Sequence, residues 1–322
     1  MADEGLHLDD RLVSWLDADD VVASDHAVRF VTPTGDVELT HLGAGFDRFV
    51  EAVHAARGPV RRAALAQATG EPRAVFTSRA GGRSDLFVHD GVLVVEPRPG
   101  LPTVLPLPLL LDVRRDGYAL TFVMRAVPSV TLGGFGARTD ELLDAVAAAR
   151  ADLRAATMAA AAGWDAALAG YDAPDGWALD RAEAGRWWGP LRSAVGRAAR
   201  AEQAELLANR AADRLRIGVH TDGGRTALPF LLAPVGDRVV VEAVDADDRA
   251  TFVFRTDDVD RLNAVLLLTA FRREALYLPD DQLGRWAPAV RCLDTVRWAR
   301  SILHARVVHD AGWATAVEAA LR

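Results

Sequence analysis

The chain contains no lysine, and it has 37 arginines. Several classes of function that need a lysine side chain are therefore excluded. They are P-loop nucleotide binding, Schiff-base catalysis, kinase-type phosphoryl transfer and serine–lysine dyads. Apart from its eight histidines, the cationic side chains of the protein are all guanidinium groups.

Cysteine and long apolar runs are also scarce. Cys292 is the only cysteine, which excludes an intramolecular disulfide and a cysteine-rich zinc site. The longest apolar stretch, Leu101–Leu111, is interrupted by three prolines and is too short to cross a bilayer. The first ten residues, MADEGLHLDD, lack the basic start and apolar core of a signal peptide. These absences predict a cytoplasmic protein without a membrane span.

The overall charge is acidic. The chain has 322 residues, 45 aspartates and glutamates, and a formal net charge of −8. Such a balance is unfavourable for binding nucleic-acid phosphates or an anionic membrane surface, so no nucleic-acid partner is expected. Half of the residues are apolar, which is ordinary for a globular protein, and the length allows two domains or three small ones.

One stretch of the chain is repeated. Residues 42–57 read LGAGFDRFVEAVHAAR, and residues 135–150, 93 positions later, read FGARTDELLDAVAAAR, with eight of sixteen positions identical. Each copy follows a short strand-like run and carries apolar residues at the three-and-four spacing of a helix with one buried face. The sequence predicts a recurring unit of strand, glycine turn and capping helix. The residues expected on the buried faces are Phe46, Phe49, Val50, Val53, Leu142, Leu143 and Val146.

Alternating apolar patterns and turn dipeptides divide the rest of the chain. Asp90-Gly91 and Asp116-Gly117 join alternating runs and predict β-hairpins. The α+β prediction has five segments. Segment 1–72 contains an N-terminal helix at Leu8–Leu16, a hairpin and a cap helix that ends at Gly58-Pro59, and segment 73–154 contains six antiparallel strands and a helix. Segment 155–212 is a helical arm. Segment 213–278 contains four strands and a helix, and segment 279–322 contains two C-terminal helices.

The order of strands and helix in residues 73–154 resembles the pleckstrin-homology-like (PH-like) fold, an antiparallel barrel closed by a C-terminal helix. The chain looks like the tandem versions of that fold found in bacteria, and residues 213–278 and 20–57 resemble parts of the same unit. Lipid-binding members carry a basic first hairpin loop. Here that loop is His89-Asp90-Gly91, which has no lysine or arginine.

Several residue groups suggest chemistry but have simpler structural interpretations. Gly133–Gly136 lacks the spacing of a dinucleotide loop and is expected to be a turn. Ser24-Asp25-His26 are adjacent in sequence rather than convergent in space, and His304 and His309 do not share a helix face. Six aspartates could together bind a divalent cation, but their segment has neither the glycine nor the closing glutamate of an EF-hand calcium loop. They are Asp245, Asp247, Asp248, Asp257, Asp258 and Asp260.

The most unusual group is Arg186-Trp187-Trp188 with Trp177, and Trp164 nearby in sequence. Tryptophan and arginine are enriched where proteins bind one another, but large rings also fill contacts between domains. We therefore predict an interaction patch at Arg186, Trp187, Trp188 and Trp177, with inter-domain packing as the alternative. No catalytic residue, cofactor site or metal ligand is predicted.

These observations favour a non-catalytic protein-interaction or scaffold protein with an unknown protein partner, and self-association into a homo-oligomer is included in that expectation. One alternative is a module that binds a small ligand or an anionic lipid through arginines. The other is an enzyme of a type that leaves no recognisable motif.

Overall fold

The computed structural model describes residues 5–8, 11–18, 20–32, 35–64, 71–79, 82–98, 102–198, 201–221, 227–244 and 249–322. The chain forms two compact units, Met1–Ala149 with Leu278–Arg297, and Arg150–Tyr277 with Trp298–Arg322. We call these unit 1 and unit 2. Among the described helices, none is long and apolar enough to cross a membrane.

The architecture is mixed α and β, with antiparallel strand pairing in every sheet described. The strands are β1 (Gly5–Leu8), β2 (Arg11–Ser14), β3 (Asp20–Ser24), β4 (Ala27–Val31), β5 (Val37–Leu39), β6 (Ala74–Ser78), β7 (Arg83–Val88), β8 (Val92–Arg98), β9 (Thr103–Pro106), β10 (Leu110–Asp116), β11 (Ala119–Met124), β12 (Val130–Gly133), β13 (Arg216–Thr221), β14 (Ala227–Val235), β15 (Arg238–Ala243), β16 (Ala250–Arg255) and β17 (Leu303–Val308). The α-helices are α1 (Phe46–Ala64), α2 (Thr139–Trp164), α3 (Arg181–Ala184), α4 (Trp188–Ala198), α5 (Ala201–Ala211), α6 (Val259–Leu268), α7 (Glu274–Tyr277), α8 (Ala287–Cys292), α9 (Asp294–Ile302) and α10 (Trp313–Ala320).

Unit 1 begins with a hairpin where a helix was expected. β1 and β2 pair antiparallel, with Leu6 opposite Val13, so the predicted helix at Leu8–Leu16 is wrong. The burial alternates along the strand: Val13 and Trp15 are buried, whereas Leu12 is 42 % exposed. A period of two residues is that of a strand with one buried face. The leucine spacing that predicted a helix is therefore misleading here.

The predicted repeat is confirmed, and it extends to the backbone. β5 and β12 each lead through a short 3₁₀ turn, residues 43–45 and 136–138, into α1 and α2, which start 93 positions apart. Gly43 and Gly136 adopt φ of 51° and 61°, a left-handed conformation that glycine takes without a Cβ clash. Val53 and Val146, also 93 apart, are both in the core with Leu142. The other residues expected on the buried faces are half-buried, and they are Phe46, Phe49, Val50 and Leu143. The shared sequence therefore encodes a shared turn and a shared buried face.

Helix α1 runs through Gly58-Pro59, so the predicted stop there is wrong. Proline inside a helix costs about 3 kcal/mol, and packing must offset that cost. The buried side chains of Arg57 and Arg61 both donate to the carbonyl oxygen of Ala18, Arg61 at 2.5 Å. A Cβ on Gly58 would come within 1.8 Å of the Glu96 carboxylate, so the helix lies directly on β8. These contacts hold the turn that contains the proline.

Residues 73–154 contain seven strands rather than the six predicted, followed by α2. They form a four-stranded sheet, β6-β7-β8-β9, and a three-stranded sheet, β10-β11-β12. The two sheets are joined at one end by Ser78, whose hydroxyl donates to the Gly133 carbonyl at 2.6 Å and accepts from the Gly133 N–H at 3.2 Å. The antiparallel α+β architecture is thus as predicted. The barrel closure is not: in the described residues no sheet closes on itself.

Unit 2 is built on a five-stranded meander in the order β13-β14-β15-β16-β17. Its first four strands were predicted, and α6 follows them. The fifth strand lies in the segment that was predicted to contain only helices, so that prediction is wrong. β17 pairs with β16, with Thr251 opposite Val307 and Val253 opposite Ala305. Without β17, the N–H and C=O groups of β16 would lie unpaired at a sheet edge.

Leu142→Ala tests the buried face of the second repeat. Leu142 is fully buried in unit 1, and loss of its side chain should leave a cavity that lowers the free energy of unfolding by about 3 kcal/mol. The measurement is urea denaturation of the whole chain. The control is Leu111→Ala, which removes a leucine that is 50 % exposed in the same unit and should cost less than about 0.5 kcal/mol. Equal losses for the two variants would contradict a buried capping face.

Candidate functional site

The structure brings together three of the four residues of the predicted patch. Trp187 ends a short 3₁₀ turn, Gly185–Trp187, and Trp188 begins α4; both rings are half-buried, and Arg186 is exposed. Trp177 does not belong to this surface, because it is only 1 % exposed. It follows Gly176, whose N–H donates to the Val219 carbonyl at 2.8 Å, so its segment lies alongside β13 in the core of unit 2.

A cleft of about 470 Å³ lies beside these rings. One lining residue, Arg181, is at the start of α3, where Asp180 accepts hydrogen bonds from the N–H groups of Ala182 and Glu183 at 2.8 and 2.9 Å, and Glu183 accepts from the Asp180 N–H in return. This capping box orients the first helical residue. We call the cleft the Arg–Trp cleft, and its lining residues are Arg181, Trp188, Gly189, Arg192 and Ser193.

The described lining of the Arg–Trp cleft contains two arginines and no carboxylate, although Asp180 and Glu183 lie close to Arg181 at the start of α3. Some exposed arginines of unit 2 pair with carboxylates, as Arg154 does with Asp172 and Arg197 with Asp165, whereas others, such as Arg150 and Arg255, have no carboxylate partner among the described residues. Within the described ranges neither Arg181 nor Arg192 has a carboxylate within ion-pair distance. Arg186, two residues before Trp188 in the chain, has its guanidinium carbon 4.8 Å from the centre of the Trp187 ring. An acidic chain thus presents a local cluster of guanidinium groups beside a tryptophan.

The pair Asp165–Arg197 shows how the neighbouring arginine differs. The N–H of Ala167 and, next, the Arg197 guanidinium lower the pKa of the Asp165 carboxyl, so this aspartate stays ionised and neutralises Arg197. Arg192, about one turn earlier on α4, has no such neighbour in the part of the chain that the structure describes. On α4, the arginine without an ion-pair partner in the described residues is therefore Arg192.

A second polar group, which the sequence analysis missed, lies inside unit 2. The Asp175 carboxylate lies 2.9 Å from His220 Nδ1, accepts the Thr221 N–H at 2.8 Å, and is 3.4 Å from the Thr157 hydroxyl. Asp175 and His220 are 5 % and 8 % exposed. The His220 ring also stacks on Phe271 at 4.7 Å. These contacts attach the segment around Pro174-Asp175-Gly176, which has the sequence of an ordinary turn, to β13.

Tyr171→Phe should stabilise unit 2 slightly. The Tyr171 hydroxyl is buried, and in the described residues it has no hydrogen-bond partner. An unpaired buried hydroxyl is costly, so its removal should raise the free energy of unfolding by about 1 kcal/mol at pH 7. The measurement is urea denaturation of both proteins at a series of pH values.

The pH dependence gives the same variant a second readout. Burial and, next, the negative charge of Asp175 raise the pKa of Tyr171. The native state therefore keeps a proton that the unfolded state releases above pH of about 10. Stability that is present below that pH should fall as the pH rises through this range. The Phe variant should lack this part of the fall, and an identical alkaline profile in both proteins would contradict the buried hydroxyl.

The remaining groups from the sequence do not form a site. Asp25 and His26 form the turn between β3 and β4, both with positive φ, and His26 packs on Phe46 at 5.4 Å. His309 Nε2 lies 3.2 Å from the buried Glu242 carboxylate in the core of unit 2, while His304 lies apart on β17, where burial and then Arg255 lower its pKa. Gly133–Gly136 is the turn that leads into α2.

Two of the aspartates considered as calcium ligands have local structural roles. Asp258 caps α6 by accepting the Arg261 N–H at 3.0 Å, and Asp260 pairs with Arg216. Asp245, Asp247 and Asp248 lie outside the described residues. Among the residues that are described, no group of three histidine, cysteine, aspartate or glutamate side chains is placed to hold a metal ion.

Comparisons with known proteins identify no relative. No protein-family model matches the chain, and neither the curated proteins nor the solved structures contain a significant match.

Proposed function

We propose that this protein is a non-catalytic interaction or scaffold protein, built from PH-like modules, that binds a protein partner through the Arg–Trp cleft. The observation that carries the proposal is the cleft itself. Two arginines that have no carboxylate partner among the described residues flank a half-buried tryptophan on the surface of an otherwise acidic chain. Tryptophan and arginine are the side chains that contribute most at protein interfaces.

The strand and helix inventory supports the PH-like part of this proposal. In unit 1, seven antiparallel strands in sheets of four and three precede α2, and Leu142 and Val146 of that helix are in the core. In unit 2, four strands precede α6, whose residues Leu262, Val265 and Leu266 are buried. A protein with two such units would have exposed surface at which partner proteins can bind. A cytoplasmic location fits this scaffold role.

The two alternatives have less support. For an anionic lipid, the loop between β7 and β8 offers a buried His89 and an Asp90 that is paired with Arg73. That loop was predicted to be the first of residues 73–154, which is wrong: the hairpin of β6 and β7 precedes it and is flanked by the exposed Arg79 and Arg83, so what weighs against a lipid is the net charge of −8. For an enzyme, the Asp175–His220 pair is the strongest candidate group. Its carboxylate, however, already bonds the Thr221 backbone and the histidine, which is the arrangement of a structural attachment.

Site-specific photo-crosslinking tests the proposal. A photoreactive phenylalanine analogue replaces Arg186, next to the cleft, and the protein is irradiated in a lysate of its source organism. We expect a discrete protein adduct that mass spectrometry identifies. The same analogue at Arg255, an exposed position elsewhere in unit 2, serves as the matched control and should give no such adduct.

Specificity is established by a second variant. The adduct from position 186 should disappear when Arg181→Gln and Arg192→Gln are added, because these changes remove the cleft charges while keeping hydrogen-bonding side chains of moderate length. An adduct that forms equally from both crosslinker positions, or no adduct from position 186, would remove the support for partner binding through this surface.

A further inference from the structure

The chemistry of the cleft defines which partner it fits, and this step rests on the proposed function. Arg181 begins α3 and Arg192 lies one turn into α4, so two helices present guanidinium groups to the same cleft. A guanidinium fork matches the two oxygens of a carboxylate, and such charge-assisted pairs are stronger than neutral hydrogen bonds. The cleft is therefore complementary to carboxylate side chains.

Two other lining residues of the cleft, Trp188 and Gly189, add an apolar contact and free space. The Trp188 ring is half-buried, so one part of it is held by the protein and another part remains available to a ligand. A Cβ placed on Gly189 would meet no atom within 4 Å. An extended peptide can therefore approach the helix closely at Gly189, with an apolar side chain against Trp188 and acidic side chains toward the arginines.

We propose that the Arg–Trp cleft binds a short acidic segment of the partner protein, in which carboxylates pair with Arg181 and Arg192 and an adjacent apolar side chain packs on Trp188. The net charge of −8 opposes the long-range approach of an acidic peptide, so the attraction must come at short range from the two arginines of the cleft. Peptide binding should weaken as the salt concentration rises.

An unbiased peptide selection tests this inference. A phage library of random twelve-residue peptides is selected on the full-length chain and depleted on the Arg181→Gln/Arg192→Gln variant. We expect the recovered peptides to be enriched in aspartate and glutamate, with an aromatic or aliphatic residue nearby. The affinity of a fluorescein-labelled recovered peptide is then measured by anisotropy for the wild type and the variants.

Two glycine variants distinguish the effect of blocking the cleft from the effect of removing its positive charge. Gly189→Leu fills the cleft without changing any charge, and it should weaken binding of the labelled peptide at least tenfold. Gly196→Leu is the matched control, because Gly196 lies on the same helix, a Cβ there would also meet no atom within 4 Å, and the residue does not line the cleft. This control should bind as the wild type does. The double arginine variant should also lose at least tenfold.

The outcomes divide clearly. Recovered peptides that are no more acidic than the unselected library would overturn the inference, as would acidic peptides whose binding survives both Gly189→Leu and the arginine variant. Binding of phosphatidylglycerol vesicles, or a homodimer, that the same variants abolish would overturn it in favour of a membrane or a second copy. A crosslinked partner without selection of acidic peptides would defeat this inference alone and leave the proposed function standing.

Discussion

Asp175→Ala is expected to lower the free energy of unfolding by about 4 kcal/mol, because it removes one partner from a buried, multiply bonded group. The carboxylate bonds His220 Nδ1 and the Thr221 N–H at 2.9 and 2.8 Å. After the substitution, the histidine ring nitrogen and the backbone N–H lose their acceptor in a site that water barely reaches. The segment around Gly176 should then separate from β13 before the rest of unit 2 unfolds.

The matched control lies three residues earlier. Asp172→Ala also removes an aspartate from the same segment, but its partner is the exposed Arg154, and exposed ion pairs contribute at most about 1 kcal/mol. Differential scanning calorimetry of both variants shows which transition moves, since a chain of two units need not unfold in one step. A loss for Asp175→Ala no greater than that for Asp172→Ala would contradict the structural role given to the Asp175–His220 pair.

Gly176→Ala should cost a comparable amount, about 4 kcal/mol, for two independent reasons. Gly176 has φ of +62°, where any other L-residue is strained by about 1–2 kcal/mol. A Cβ at this position would also approach Leu267 to 2.4 Å and Phe271 to 2.9 Å in the core. Overpacking of this kind typically costs a further 1–3 kcal/mol, roughly.

Gly236→Ala separates the two contributions. Gly236 adopts φ of +61°, nearly the same as Gly176, in the turn between β14 and β15, but a Cβ there would meet no atom within 4 Å. It should therefore show only the backbone strain of about 1–2 kcal/mol. The comparison is made by urea denaturation of the two variants. Equal losses would mean that the core around Leu267 and Phe271 accepts the extra methyl group without repacking.

Local signals in the sequence predicted the parts of the fold that local chemistry determines. Asp90-Gly91 and Asp116-Gly117 correctly gave hairpins, and the repeated sixteen residues correctly gave two equivalent turns with a helix after each. In each of these segments a short stretch of sequence contains both the turn residues and the periodic apolar residues. Both are local determinants of the structure, and so the sequence pattern predicts it correctly.

The errors arose where distant residues decide the outcome. The leucines near Leu8 fit a helix, but pairing between β1 and β2 and burial of Trp15 favour strands. Pro59 should have ended α1, yet buried arginine contacts with Ala18, about forty residues away in sequence, hold it. A period or a helix stop is only a local preference, and tertiary contacts outweigh it here.

The candidate site was predicted in part for the same reason. Arg186, Trp187 and Trp188 were recognisable because charge and large rings adjoin in the sequence. Arg181 and Arg192, whose side chains carry the charge of the cleft, come from two different helices and have nothing unusual around them. The His220–Asp175 contact joins residues 45 positions apart, and no spacing rule indicates it.

The interleaved course of the chain has a practical consequence for dissection of the protein. Leu278–Arg297 belongs to unit 1 although it follows most of unit 2, and Trp298–Arg322 returns to unit 2. No single cleavage or cloning boundary can therefore release either unit intact. A fragment that stops after Ala149 would lack α8, which lies against α1, and a fragment of 150–277 would lack β17. An expression vector for one unit alone has to splice two distant coding segments through an artificial linker.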